Sequence, residues 1–291
     1  MTAIVDLAQT ARKNDYKYAL LPFYKNGKPF EGETLKPKWG MTLRAAGSMR
    51  FRWNEENQNR LDFFKEHFPQ KEILSLELIH SKIVFEVDQA GGTFGKRGDG
   101  ILTGNKNLIP VVTAADCLPL CFFEEETGLF AAVHSGWKGT GIAANLVQMM
   151  KARGAAAKNI LAAIGPHIRD CCYSVDKERA MYFSDNFGSD CVQKIQDSAG
   201  VESEADALGK NEDGLYRLSL LRANLNLLAA AGLLEENIVA AKNCTCCDDR
   251  FGSFRREASA LELSQEEKSR LFTTQAAFVI IDGREKRIDE T

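Results

Sequence analysis

The sequence has no apolar run that approaches the roughly 20 residues needed to cross a membrane, so we expect no membrane partner. Its first fifteen residues, MTAIVDLAQTARKND, mix acidic and basic side chains and lack the apolar centre of a secretory signal. Eight cysteines without such a signal are typical of a cytoplasmic protein with reduced thiols rather than of a disulfide framework.

The chain also lacks an excess of positive charge. Its 37 Lys and Arg residues are outnumbered by 40 Asp and Glu residues, which gives a net charge of -3. Because phosphate neutralisation needs a basic surface, we expect no nucleic-acid partner. No internal repeat, linker or low-complexity tract divides the 291 residues. We therefore expect one large α/β domain spanning residues 1–291.

The most informative stretch covers residues 113–140, TAADCLPLCFFEEETGLFAAVHSGWKGT. Two apolar segments, Leu118 to Phe123 and Leu129 to His134, flank the charged segment Glu124 to Gly128. This pattern predicts two β-strands joined by a five-residue hairpin loop.

Folding these strands about Glu126 predicts that Leu118 lies opposite His134 and that Cys117 lies beside Ser135. The Cβ atoms of Cys117 and His134 are then about 5–8 Å apart. At that separation the two side chains can share a metal ion, or they can act as a thiolate nucleophile and its base.

His80 is the third candidate, at the end of the strand-like run KEILSLELIH. With Cys117 and His134 it makes a His₂Cys set, which suits zinc with an open fourth position. The same set suits copper, which occurs in trigonal His₂Cys sites.

A glycine-rich loop follows His134 and contains the basic residue Lys138. We expect Thr140 to cap a helix that runs to about Arg153 and stops at Gly154. Backbone N–H groups at such a loop favour an anion.

The other cysteine-containing segments are predicted to be structural rather than metal-binding. Cys171 and Cys172 are adjacent, and adjacent cysteines chelate poorly, so we expect packed thiols there. The run Cys244-Thr245-Cys246-Cys247 lacks a second dithiol at zinc-finger spacing unless the fold brings the first pair to it.

The segments ADCLPL, VHSGWKGT, IGPHI, CCYSVD and FGSFRRE resemble the multicopper polyphenol oxidoreductase (laccase-like) family. Bacterial members of that family are also described as purine nucleoside phosphorylases with adenosine deaminase activity. The matching blocks cover residues 78–183 and 243–257. The resemblance implies that His80, Cys117 and His134 are the metal ligands.

The chain departs from the family pattern at several positions. Leu78 and Ser81 stand where glutamine and glycine usually flank the first histidine, and Lys138 replaces an arginine. The expected Thr-Gly-Arg is not evident, and residues 273–275, which end in Gln275, occupy its place. These changes bear on substrate and anion contacts more than on metal binding.

The resemblance implies a zinc enzyme, with copper as the alternative, whose partners are a purine nucleoside and phosphate. The reaction is phosphorolysis of adenosine, inosine or methylthioadenosine, with adenosine deamination as a second activity. The expected catalytic residues are the three ligands and Asp116, the acid that could move protons. Candidates for anion contacts are Arg44, Lys138 and Arg256. The alternatives are a copper-dependent polyphenol oxidase and a cysteine hydrolase that uses Cys117 and His134.

The fold class expected from the pattern is mixed α/β, and the resemblance implies β-sheets sandwiched between helices. Helices are predicted over residues 1–15, 55–68, 177–187 and 215–231. Strands are predicted over residues 73–79, 108–113, 160–164, 238–241 and 275–281. Residues 188–214 are polar and are predicted to form a long loop or broken helix.

Overall fold

The computed structural model describes residues 1–195 and 215–283 and has a mixed α/β fold, as predicted. Two β-sheets pack face to face, and helices cover their outer faces. Over the described ranges, no helix is both long enough and apolar enough to cross a membrane. Most of the predicted loop at 188–214 lies outside the described residues.

The first sheet has seven strands in the order β1-β16-β12-β10-β11-β8-β7. Its strands are β1 (Ala3–Val5), β7 (Val84–Glu86), β8 (Gly100–Thr103), β10 (Leu118–Phe123), β11 (Phe130–Ser135), β12 (Leu161–Ile164) and β16 (Ile238–Ala241). The hairpin β10–β11 is antiparallel and central, whereas β1, β16 and β12 run parallel to one another. The sheet therefore places the cysteine–histidine hairpin at its middle.

The second sheet has five strands in the order β2-β5-β17-β9-β6. These are β2 (Tyr18–Pro22), β5 (Leu35–Thr42), β6 (Glu72–Ser75), β9 (Leu108–Ala114) and β17 (Gln275–Gly283). Smaller sheets contain β3 (Tyr24–Lys25) with β4 (Lys28–Pro29), and β13 (Ser174–Val175) with β15 (Tyr216–Leu218) and β14 (Val192–Lys194).

Helices complete four layers. They are α1 (Leu7–Thr10), α2 (Gln58–His67), α3 (Ile142–Ala152), α4 (Lys177–Phe187), α5 (Leu220–Ala230), α6 (Phe254–Glu257) and α7 (Gln265–Lys268). Helices α3, α4 and α5 pack on the outer face of the first sheet, and α2 packs on the outer face of the second. The expectation of sheets sandwiched between helices is thus confirmed.

Strand β10 is apolar throughout because both of its faces are buried. Successive side chains of a strand point to opposite faces. Phe122 therefore packs in the core under α3, α4 and α5, while Cys121 and Phe123 pack between the two sheets.

Three local predictions were wrong in detail. Residues 3–5, predicted as helix, form β1 because they pair with β16 across 236 positions of sequence. Residues 216–218 form β15, and the predicted helix starts only after its N-cap, Ser219. Thr140 is not the cap of α3, because its hydroxyl donates to the carbonyl of Gly136 and Gly141 takes the cap position.

The hairpin register differs from the prediction by one residue. Leu118 lies opposite Ser135, and Pro119 lies opposite His134. The N–H of Glu124 donates to the carbonyl of Leu129, so Glu124 lies opposite Leu129 rather than Gly128 and the register shifts by one residue. Cys117 still precedes the strand that pairs with His134, and the predicted proximity survives.

Replacing Phe122 by alanine should lower the free energy of unfolding by about 3–5 kcal/mol, because it empties a fully buried aromatic position. Denaturant unfolding monitored by circular dichroism measures this loss. Phe94→Ala is the matched control, since that side chain is 83% exposed and its removal should change stability little. Equal losses in both variants would contradict the burial pattern.

Candidate metal centre

Three side chains from different elements converge at one end of the central hairpin. His80 follows β6 in sequence, Cys117 directly precedes β10, and His134 lies in β11. One ligand atom from each lies within 4.8 Å of the other two. His134 is buried, Cys117 is half-buried and His80 is exposed, so the cluster opens to solvent on the His80 side.

The carboxylate of Asp99 holds both histidines. It accepts the Nδ1 hydrogen bond of His134 at 2.9 Å and the backbone N–H of His80 at 2.9 Å. The backbone N–H and hydroxyl of Ser81 also donate to it, at 2.6 and 2.7 Å. His80 has a left-handed backbone (φ 57°), a conformation that this fan of donors stabilises. With Nδ1 engaged, the other ring nitrogen of His134 is free to act as a ligand.

The electrostatics of the cluster favour the ionised form of the Cys117 thiol. Burial opposes ionisation of Cys117, but the charge of His134 and hydrogen bonds from His134 and His80 outweigh it and lower its pKa to about 6. A thiolate flanked by two imidazoles is the donor set of a three-ligand zinc site with one open position. The same donors are compatible with copper. The three residues therefore fit a bound metal ion.

Gly136 leaves room for this arrangement. A Cβ atom at that position would lie 3.0 Å from Cys117 Sγ, 3.0 Å from His80 Cδ2 and 3.6 Å from His134 Cε1. The loop after β11 thus packs directly on all three candidate ligands, and any side chain there would push on them.

Asp116 lies beside Cys117 in sequence, but its carboxylate points towards other loops. It accepts hydrogen bonds from the hydroxyls of Thr245 (2.6 Å) and Ser253 (3.0 Å) and from the backbone N–H of Arg255 (2.6 Å). Burial raises its pKa. Asp116 also has a left-handed backbone (φ 83°), so these contacts fix the turn that presents Cys117.

The three residues predicted to contact a substrate anion have different partners in the structure. Arg44 and Arg256 both pair with Glu257 and donate to the carbonyl of Phe251. Lys138 is exposed, with its amine 5.2 Å from the centre of the Trp137 ring. Their role towards a substrate anion stays a prediction.

Sequence reasoning missed a cationic and aromatic group beside the cluster. The Arg179 guanidinium lies 4.3 Å from the Trp137 ring centre, and its charge opposes the rise in the pKa of the neighbouring Tyr173. Burial raises the pKa of Tyr173, and the nearby Cys117 thiolate adds to that rise. Arg179 Nε is buried and has no hydrogen-bond partner within the described part of the chain. The only sequence signal was an arginine in the first turns of a predicted helix.

Asp99 was also missed as a partner of the histidines, although its place before a strand was visible in the sequence. His167 lies outside the cluster: it is fully buried, its Nδ1 is 2.8 Å from the carbonyl oxygen of Gly165, and burial lowers its pKa to about 4. Among the departures from the family pattern, Ser81 binds Asp99 and Leu78 packs against the core. Gln275 is buried and donates to the carbonyl of Thr273.

Comparison with known proteins gives consistent matches. The family model described as multi-copper polyphenol oxidoreductase laccase matches residues 54–261. A Borreliella burgdorferi protein named purine nucleoside phosphorylase is 29% identical over 188 residues, covering 64% of this chain and 75% of the relative. A protein named adenosine deaminase RL5, from an unknown prokaryotic organism, is 30% identical over 161 residues, covering 54% of this chain and 55% of the relative.

Solved structures share the fold. The crystal structure of YlmD from Geobacillus stearothermophilus superposes with a TM-score of 0.65 at 22% identity, covering 91% of this chain and 100% of that one. The hypothetical protein YfiH from Bacillus licheniformis gives 0.65 at 24% identity, covering 87% and 98%. These likenesses support the architecture described above.

Gly136→Ala should weaken metal binding at the cluster, because the added methyl group displaces Cys117 and His80. We expect about a 10- to 100-fold loss of affinity, the size seen when ligand geometry is disturbed. Competition with a chromophoric chelator measures it. Gly104→Ala is the control, since a methyl group there meets only ordinary contacts at 3.8 Å. Unchanged affinity in Gly136→Ala would refute the ligand assignment.

Proposed function

Since the chain belongs to the multi-copper polyphenol oxidoreductase laccase family, we propose that it is a metal-dependent enzyme acting on purine nucleosides. The observation that carries the proposal is the convergence of His80, Cys117 and His134 within 4.8 Å. Relatives named purine nucleoside phosphorylase and adenosine deaminase support the substrate class. The reactions we propose are phosphorolysis of adenosine, inosine or methylthioadenosine and deamination of adenosine.

Zinc is the metal we propose, with copper as the alternative. One thiolate and two imidazoles leave a position on the exposed His80 side for water or substrate, which is the pattern of a catalytic zinc site. When bound, zinc supplies a Lewis acid that lowers the pKa of a coordinated water.

The chain's own residues prepare this position. Asp99 orients His134 and fixes which ring nitrogen faces the cluster. Cys117 is held as a thiolate by its two neighbours. Because both oxygens of Asp116 are engaged by hydroxyl and amide donors, we propose that it moves protons through the hydroxyls of Thr245 and Ser253.

Phosphorolysis also needs a cation that holds phosphate. Arg44, Lys138 and Arg256 remain candidates, but Arg44 and Arg256 already pair with Glu257 and the Lys138 amine lies against the aromatic ring of Trp137. We add Arg179. Its buried Nε has no hydrogen-bond partner within the described residues, and the charge of the Cys117 thiolate adds to the rise in the pKa of the neighbouring Tyr173. A guanidinium with a free donor is suited to bind a phosphate oxygen.

We further propose that residues 1–291 act as one domain and that the protein is cytoplasmic. The first proposal is supported by β1 and β17, which bring the two ends of the described chain into the two large sheets. The second is supported by the eight cysteines, all of which are free thiols in the structure, as is usual in a reducing compartment.

Chelation should abolish adenosine turnover, and added zinc should restore it, because the bound ion supplies the reactive water. Separating the products by liquid chromatography distinguishes the reactions: inosine marks deamination, whereas adenine that forms only with phosphate marks phosphorolysis. The matched protein variant is Cys117→Ala, which zinc should not rescue.

Full activity in protein shown by elemental analysis to be metal-free would instead support a cysteine hydrolase that uses Cys117 and His134. Oxidation of a phenol by copper-loaded protein, without nucleoside turnover, would support the polyphenol oxidase alternative.

Arg179→Gln should raise the KM for phosphate about tenfold or more while leaving deamination in phosphate-free buffer nearly unchanged, because only phosphorolysis uses the anion. Initial rates at varied phosphate give this value. Arg222→Gln is the control, since that arginine pairs with Asp190 on the neighbouring elements. Equal loss of both reactions would show that Arg179 does not act on phosphate.

A further inference from the structure

Four cysteines from two loops form a second cluster, separate from His80, Cys117 and His134. Cys171 and Cys172 lie in the loop between β12 and β13, and Cys244 and Cys247 lie in the loop after β16. All four sulfur atoms lie within 4.8 Å of one another. Cys247 Sγ is 3.1 Å from Cys172 Sγ and 3.6 Å from Cys171 Sγ.

We propose that these four cysteines bind one zinc ion as a structural tetrathiolate site. A tetrahedral zinc with Zn–S bonds of about 2.3 Å separates its sulfurs by about 3.8 Å, which is within the spread of this cluster. Small, soft thiolate cages of this kind select zinc among the common divalent metals. The argument for this site does not rest on the nucleoside chemistry proposed above.

The adjacency of Cys171 and Cys172 does not prevent chelation here. Adjacent side chains diverge in an extended chain, since successive Cβ atoms point to opposite sides. In this loop the N–H groups of Cys172 and Tyr173 both donate to the carbonyl of Arg169, which makes a tight turn. The turn brings both sulfurs to the same side, facing Cys244 and Cys247.

The second loop has the form of a metal-binding knuckle. Cys244 and Cys247 are separated by two residues, Thr245 and Cys246. The N–H of Arg169, from the first loop, donates to the Cys244 sulfur at 3.3 Å. An N–H donor on the sulfur is the kind of outer contact expected around a metal-bound thiolate.

Arginines surround the cluster and offset its charge. Four thiolates and one divalent ion carry a net charge of about −2. Arg217 donates to the carbonyl of Cys171 at 2.9 Å, Arg255 to that of Cys172 at 3.5 Å and Arg256 to that of Cys246 at 2.9 Å. These guanidinium groups place positive charge beside the cluster and would offset part of the negative charge of the zinc tetrathiolate.

A disulfide explains the cluster less well. A disulfide bond between Cys172 and Cys247 requires their sulfurs to approach from 3.1 Å to about 2.05 Å. That bond would leave Cys171 and Cys244 without a role, although the N–H of Arg169 donates to the Cys244 sulfur.

The zinc ion would also stabilise the backbone next to the candidate metal centre. It would tie the loop after β12 to the loop after β16, and the latter contains Thr245, whose hydroxyl donates to Asp116. Asp116 holds the strained turn that presents Cys117. The tetrathiolate site therefore positions the backbone of the candidate ligand without touching substrate.

Elemental analysis of the purified full-length protein tests the proposal. Wild type should contain one more zinc per chain than the double variant Cys171→Ser/Cys247→Ser, whose changes are at exposed positions. Cys246→Ser, in the same loop but outside the cluster, should keep the full zinc content. A Cys117→Ala protein should retain the tetrathiolate zinc, so the two sites can be counted separately.

Cobalt provides a readout on the wild-type protein that does not depend on the double variant folding. Wild-type protein refilled with Co²⁺ should show the intense sulfur-to-metal charge transfer and visible bands of a tetrahedral four-thiolate complex, and Cys117→Ala should retain them. Equal zinc content in wild type and the double variant, iron in place of zinc, or a Cys172–Cys247 disulfide found by peptide mapping of unreduced protein would each overturn the proposal.

Discussion

The buried carboxylate of Asp99 is the interaction on which the candidate metal centre depends. It accepts donors from His80, Ser81 and His134 at once and so joins the loop after β6 to the central hairpin. Burial alone would raise its pKa, but the hydrogen bonds from His134 and Ser81 outweigh burial and keep it ionised. A negative charge held at zero exposure also keeps His134 in one tautomer. The two histidines are therefore positioned by one group that binds no metal itself.

The hairpin could be predicted because the residues that determine it are close together in the sequence. Two apolar strands and a charged loop ending in Gly128 require only neighbouring residues to close, and β10 was predicted with its observed bounds. The register was wrong by one residue because the closing hydrogen bond from Glu124 to Leu129 depends on how the loop packs. Proximity of Cys117 to His134 tolerated that error, since a shift of one residue moves the pair by only a few ångströms.

Other parts of the site could not be predicted because they depend on contacts distant in sequence. Strand β1 forms by pairing with β16, whose residues are more than 230 positions away, so no helical or strand period in residues 1–15 could reveal it. Asp99 is an ordinary acid before a strand until the fold places two histidines around it. The pair Cys171 and Cys172 was predicted to be packed thiols, and only the approach of β12 to β16 in the sheet brings it to Cys244 and Cys247.

The two cysteine-containing clusters offer a metal ion different ligand atoms, and this difference assigns them different roles. The first has three ligand atoms and an exposed side at His80, so a bound ion there keeps a position for exchange with water or substrate. The second offers four sulfurs, which close the coordination of a zinc ion and leave nothing to exchange. Thr245 connects the two clusters. It lies between Cys244 and Cys247 in the sequence, and its hydroxyl donates to Asp116, which precedes Cys117. A zinc ion that fixes the four-sulfur cluster therefore also fixes the turn that positions the Cys117 thiolate in the three-ligand cluster.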